Sequence, residues 1–213
     1  HSGVVSSFNS MNKAISKEIF KKNRIKTPKY FIFKKENYNK MKLNKVIRIK
    51  KIKFPIVVKP INEGSSIGVK ICKNIFSLHL STKKLFNLYE ELMFEPYIGG
   101  QEIQVAVING DPLGAIELKP KRKFYDYKAK YSKAAKTKHI MPANLKSFKY
   151  KEALQIAKKA HNALNCKGIT RSDFKFYKNE FYLLEINTQP GMTSLSLVPE
   201  IANYKGISFE KLV

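Results

Sequence analysis

The 213-residue sequence predicts an α+β chain made of two successive α+β units. Three observations carry this. Short apolar or alternating runs, such as "FPIVVK" and "EIQVAVING", recur and read as strands. Between them lie stretches with apolar residues at helical spacing, most clearly over 148–165. Several strand runs adjoin one another through turn residues, as hairpins do. The hydrophobic fraction of 43% is ordinary for a chain with a proper core.

Residues 10–22 read as a helix, with Met11, Ala14, Ile15 and Ile19 on one face and Ser10 as its cap. Pro28 ends it, and "YFIF" (30–33) reads as a strand. The lysine-rich stretch 34–53 is weakly patterned and is expected to be helix and loop. "FPIVVK" is a continuous apolar run, like a strand covered on both faces. "IGVKIC" (67–72) alternates as its hairpin partner. A helix over 74–88 and a strand "LMFEPYI" (92–98) complete a first unit spanning 1–98. The second unit, 99–213, begins with "EIQVAVING" and a strong turn signal at Asn109-Gly110-Asp111, then a strand over 113–118. Residues 119–142 are polar and aperiodic, as a functional or a disordered loop is. The helix at 148–165 presents Ala153, Ile156, Ala157, Ala160 and Leu164. Strands at 169–177 and 181–187 lead into "NTQPGMTS", and a short helix is expected from Ser196.

A net charge of +25 invites a nucleic-acid reading, but the basic residues are almost all lysine. Arg24, Arg48, Arg122 and Arg171 are the only arginines, whereas base readout and bidentate phosphate clamps favour arginine. The lysines are spread over every segment, as on a solvated surface. A basic nucleic-acid-binding module is therefore the distant alternative. No apolar run approaches the roughly 20 residues that span a bilayer. Cys72 and Cys166 suggest neither a metal cluster nor a disulfide framework, so a cytoplasmic setting is expected. A start at His1 without methionine is expected for a cut or processed edge.

Two stretches carry chemistry. In "VVKPINEGSSIGV" (57–69), Lys59 at a strand end can reach phosphate oxygens, and exposed N–H groups of the Gly/Ser loop can fold over them. A solvated hairpin is the bland reading. In "LLEIN", Glu185 and Asn187 are two apart on a strand and share a face, as oxygen ligands of Mg²⁺ do. A three-residue turn at Lys178, Asn179 and Glu180 would pair Asp173 with Glu185 and Arg171 with Asn187. A two-residue turn would send Asp173 to the opposite side. Leu184 and Ile186 then fall on the other face. Glu95 and Glu102 flank an expected crossing between the units, where acids can accept from a base amino group or ribose hydroxyls.

The runs "VVKPINEGSSIGV", "FYDYKAKY", "CKGITRSD" and "YLLEINTQPGMTSLSLVP" resemble the D-alanine–D-alanine ligases of the ATP-grasp superfamily. The resemblance runs from "SMNK" to "SFEKLV" and implies an ATP-grasp fold, whose two subdomains (1–98 and 99–213) grip ATP between them. It implies that the family's N-terminal domain is absent from this chain. By resemblance, Lys13 and Lys59 contact ATP phosphates, and Glu63 to Gly68 form the lid over them, with Ser66 in it and Ser65 near substrate. Glu95, the backbone at Tyr97 and Ile98, and Glu102 match adenine and ribose contacts. Asp173, Glu185 and Asn187 match the ligands of two Mg²⁺ or Mn²⁺ ions. Arg171 and Gly191 match the oxyanion-stabilising groups; Lys130, Tyr131, Ser196 and Leu197 match the second D-alanine pocket and the closing loop 119–142. The implied activity is ligation of two D-alanines through an acyl phosphate for peptidoglycan precursor synthesis, by an enzyme commonly dimeric. The alternative within the superfamily is another carboxylate–amine or D-alanyl ester ligase. Pro96, Thr170, Gln189 and Leu195 depart from the family's pattern.

Overall fold

The computed structural model describes residues 1–119, 137–193 and 196–213. Its contacts divide the chain into two units, one of residues 28–98 and one of residues 1–27 with 99–213. Continuous subdomains of 1–98 and 99–213 were expected. The boundary near 98 reappears, but the first 27 residues go with the C-terminal part. Phe20 and Ile25 are buried in that unit's core, and the Leu183 N–H donates to the Lys26 carbonyl.

The unit of residues 28–98 holds a four-stranded antiparallel sheet in the order β1-β4-β2-β3. Its strands are β1 (Phe31–Lys34), β2 (Ile56–Pro60), β3 (Lys70–Cys72) and β4 (Glu91–Pro96). A 3₁₀ turn (Lys35–Asn37) and a helix, α3 (Lys40–Ile49), lie in the stretch of weak pattern. Helix α4 (Ile75–Phe86) starts at Asn74, whose side chain accepts from Ser77 N while Asn74 N donates to the Ser77 hydroxyl. Ile56, Val58, Leu92 and Phe94 pack with Leu43, Leu78 and Phe86. Every residue of β2 is buried, as its continuous apolar run predicts.

The other unit holds a five-stranded antiparallel sheet, β7-β6-β5-β8-β9. Its strands are β5 (Gln101–Ile108), β6 (Asp111–Lys119), β7 (Lys138–Ile140), β8 (Ile169–Tyr177) and β9 (Glu180–Asn187). Helices α1 (Val4–Met11) and α2 (Lys13–Lys22) open the chain, α5 spans Ser147–Ala163, and α6 (Leu197–Tyr204) and α7 (Phe209–Leu212) close it. One sheet face carries Ile103, Val105, Phe174, Phe181 and Leu183 against α5 and Phe20. Ala106, Ile116 and Leu118 meet α6 on the other. Among the described residues no helix is long and apolar enough to cross a membrane.

Four expectations need correction. The helix expected over 10–22 is two helices. Asn12 breaks it and caps α2, its side chain accepting from Ala14 N and Ile15 N, while Met11 is exposed rather than on the core stripe. Ser10, expected as the cap, instead lies 3.3 Å from the Thr188 hydroxyl. Of the stretch 119–142 expected as a loop, Lys119 belongs to β6 and Lys138–Ile140 pair with Glu117–Lys119 as β7, while 120–136 lie outside the described residues. The β8–β9 turn has two residues, not three, with Tyr177 opposite Glu180 and positive φ at Lys178 and Asn179.

That last change would misplace Asp173 were it not for a β-bulge. The ladder runs Phe176 to Phe181, Lys175 to Tyr182 and Phe174 to Leu183, then jumps to Asp173 opposite Glu185. Leu184 is the extra residue. The bulge switches parity, so Phe181, Leu183 and Ile186 are buried while Glu185 and Asn187 take the opposite face. Leu184 therefore does not share a regular face with Ile186. The two-residue turn wins because it pairs Phe181 with Phe176, ring centroids 4.5 Å apart, and puts Leu183 beside Phe174 in the core. A three-residue turn would put Leu183 opposite Lys175.

Candidate functional site

On the face of the five-stranded sheet away from α5, the registers of β5, β8 and β9 build a polar array. One row carries Glu102, Lys175 and Tyr182; the next Gln104, Asp173 and Glu185; the third Ala106, Arg171 and Asn187. Directly opposed residues of antiparallel strands share a face with Cβ atoms about 5 Å apart. Asp173 and Glu185 are therefore neighbours, with Asn187 one row on.

Each acid in the array is held by a cation. Arg171 donates Nε–H to Asp173 Oδ1 at 2.8 Å and Nη2–H to Oδ2 at 3.0 Å, a bidentate pair within one strand. The Lys13 ammonium lies 3.7 Å from Glu185 Oε2 and is itself buried. Asn12 makes this possible, since the break it introduces sets Lys13 as the first residue of α2. Lys175 donates to Glu102 at 2.9 Å. The sequence reading missed Lys175, although extending the period-two series from Arg171 and Asp173 reaches it. Asn187 Oδ1 accepts from Gln189 N at 2.9 Å, so the departure at Gln189 engages the site through its backbone. Thr170 lies on the opposite face, where its hydroxyl is 2.8 Å from His161 Nδ1. That departure therefore leaves the polar array untouched.

Beyond β9, Gly191 lies against Ser196: a Cβ built there would stand 2.8 Å from Ser196 Oγ. Ser196 Oγ accepts from Thr193 N at 3.1 Å, and Ser196 begins α6, whose Leu197 is buried. Lys130 and Tyr131, and the departure at Leu195, lie outside the described residues.

The unit of residues 28–98 has its own candidate groups. Lys59 and Glu95 sit on the β2–β4 face away from that unit's core and form an ion pair of 2.5 Å, with side chains 8% and 5% exposed. After β2, Ser65 and Ser66 have φ of 50° and 62°, and Gly68 has φ 71°. Non-glycine residues in this region cost about 1 kcal/mol or more each, and such strain gathers at ligand-holding loops. At Gly68 a Cβ would also stand 2.8 Å from the Pro60 ring. Glu63 reaches back to Tyr89, whose hydroxyl pKa is raised by burial and then by the Glu63 charge. At the end of β4, Pro96 has no N–H, and the Tyr97 N–H donates to the Pro55 carbonyl at 2.8 Å. The N–H of Tyr97 is thus engaged within the unit; Ile98 is the unit's last residue.

A family model described as "D-ala D-ala ligase C-terminus" matches residues 19–213. A D-alanine–D-alanine ligase of Pelagibacter ubique (strain HTCC1062) is 57% identical over 216 residues, covering 100% of this chain and 69% of that protein. The one from Wolbachia pipientis wMel is 46% identical, covering 100% and 66%. Among solved structures, a D-alanine–D-alanine ligase from Bacillus anthracis complexed with ATP is 30% identical with a TM-score of 0.82, covering 99% of this chain and 66% of that one. The VanG D-Ala:D-Ser ligase from Enterococcus faecalis is 28% identical with a TM-score of 0.87, covering 99% and 62%. The chain thus spans about two thirds of the length of its relatives.

Proposed function

This chain belongs to the D-alanine–D-alanine ligase C-terminal family, and on that premise we propose that it serves an ATP-dependent enzyme joining two D-alanines for peptidoglycan precursors in the cytoplasm. Residues 28–98 act as the central ATP-grasp subdomain, and residues 1–27 with 99–213 as the C-terminal one. The observation that carries the reading is the register placing Asp173 opposite Glu185 and Arg171 opposite Asn187 on one face.

The residues present fit Mg²⁺ or Mn²⁺. Hard divalent cations take oxygen ligands and keep several waters, and the array offers two carboxylates and an amide. Among the described residues, no set of three or more His, Cys, Asp or Glu is placed to hold a metal, so water and phosphate oxygens complete the shell. Asp173, Glu185 and Asn187 would hold the ions. Bound ATP and its metals supply the phosphoryl group and the positive charge that activate a D-alanine carboxylate.

The chain's own residues do the rest. Lys13 and Lys59 lower the repulsion between anionic reactants, as in other phosphoryl transfers. Glu95 holds the Lys59 ammonium in place until phosphate oxygens take it. Ser65 and Ser66 present backbone in a left-handed conformation whose N–H groups suit an anion. Glu63, also in this loop, is fixed against Tyr89. Glu102 accepts from ribose hydroxyls, and Glu95 with the Tyr97–Ile98 backbone faces the adenine. Arg171, oriented by its bidentate pair with Asp173, steadies the tetrahedral oxyanion. Gly191 offers its N–H beside it. Ser196, Leu197, Lys130 and Tyr131 receive the second D-alanine.

D-Alanine-dependent release of ADP tests the reading. The full protein should release ADP on addition of D-alanine and Mg²⁺, and Asp173→Asn should abolish it. ADP release that ignores D-alanine would reject the assignment.

A further inference from the structure

Gln104 sits in the middle row of the array, directly opposite Asp173 on one side and Ile116 on the other. Its side chain is 1% exposed, and its Oε1 has no hydrogen-bond partner among the described residues. An amide oxygen buried without a donor is destabilising, so such groups call for an explanation. Ser172 and Glu117 also bury oxygens without hydrogen bonds, but both lie on the face that meets α5. Gln104 is on the face of Asp173, Glu185 and Arg171.

Its neighbours in the row cannot satisfy it. Ile116 is apolar, and the ionised carboxylates of Asp173 and Glu185 are acceptors only. Among the described residues none donates to it, and a bound ligand would supply the donor. A water on a divalent cation turns its lone pairs to the ion and both O–H groups outward, and magnesium-like ions keep several such waters.

We propose that Gln104 is an outer-shell partner of the metal site, its Oε1 accepting a hydrogen bond from a water bound to the ion held by Asp173 and Glu185. This rests on the ligase reading and adds a residue that neither side-chain charge nor motif marks. Gln104 thereby positions the ion's water shell without binding the ion. Partners of this kind typically change metal affinity 10- to 100-fold.

The test measures Mn²⁺ binding by the loss of the free-ion electron paramagnetic resonance signal, with a non-hydrolysable ATP analogue present. Gln104→Leu should weaken Mn²⁺ binding about tenfold, while the melting temperature of the ligand-free chain holds or rises because a buried orphan is removed. Gln104→Glu, which keeps an acceptor, should restore affinity. Gln104→Met, whose thioether is only a weak acceptor, is a second variant should the leucine not be accommodated. Unchanged Mn²⁺ affinity in a folded Leu or Met variant, with the unaltered chain binding normally, overturns the inference alone. A fall in ligand-free melting temperature with unchanged affinity also overturns it, since it marks a packing role. If the unaltered chain takes up no Mn²⁺, the metal-dependent ligase reading falls too.

Discussion

Lys59→Met removes the ammonium 2.5 Å from the Glu95 carboxylate and leaves that carboxylate buried. With side chains 8% and 5% exposed, the pair belongs to the buried class, where deleting one partner costs about 3–5 kcal/mol. An internal control is at hand in Lys35–Glu90, 3.1 Å apart but 47% and 79% exposed. Exposed pairs are worth about 0–1 kcal/mol, so Lys35→Met should hardly register. The double variant Lys59→Met/Glu95→Leu replaces the pair by apolar groups and should recover most of the loss, as such replacements are often neutral. It should nonetheless fail to gain melting temperature from ATP and Mg²⁺, a gain that requires ligand binding to the folded state. Urea unfolding followed by far-ultraviolet circular dichroism measures these proteins together with Glu95→Leu, which completes a double-mutant cycle that gives the coupling. A Lys59→Met cost no larger than that of Lys35→Met would refute the buried-pair argument. Full ATP stabilisation in the double variant would separately remove Lys59 from the phosphate site.

Other expectations follow from single contacts. Gly100 has φ +82°, and a Cβ there would stand 2.1 Å from the Phe176 carbonyl oxygen, so Gly100→Ala should cost more than about 2 kcal/mol in urea unfolding. Gly191→Ala presses on Ser196 Oγ and should lower D-alanine turnover, and Ser196→Ala in the same chain should relieve the crowding, seen as recovered melting temperature. Burial lowers the His161 pKa below its usual value of about 6.5, so the unfolded chain binds the extra proton first. Stability from the neutral ring is complete above that value and is lost as pH falls below it. His161→Leu should flatten the urea stability profile between pH 7 and 5.5. Asn187→Ala should weaken Mn²⁺ binding without unfolding the chain, as the residue ends β9.

Much was legible locally because it depends on local chemistry. The Asn109-Gly110 turn forms with φ of 49° and 87°, as a tight hairpin demands. Within "FPIVVK", Ile56 to Lys59 joined a strand buried on both faces while Phe54 and Pro55 stayed outside it and exposed, and the helix read over 74–88 formed as α4. The pairings of Asp173 with Glu185 and Arg171 with Asn187 were also anticipated. The turn assumed to produce them was not the one used. A parity signal was present: Phe181 and Leu183 are two apart, but the next buried apolar residue, Ile186, is three further on, out of phase. A single strand can read that phase slip as a bulge or as an end, and only pairing with Phe174 and Phe176 in the core selects the bulge.

What the sequence determined by itself was an inventory: most of the segments that become strands and helices, and the acids and lysines that are candidates for the chemistry. Those follow from periodicity, turn residues and side-chain type, all interactions within a few positions. The tertiary structure alone decided who meets whom. It joined residues 1–27 to the C-terminal unit, brought Lys13 to Glu185, paired Lys59 with Glu95, and buried Gln104 Oε1 opposite Asp173 with no donor among the described residues. Such meetings join residues tens to well over a hundred positions apart. Their energy comes from burial and register across strands, which no local window contains.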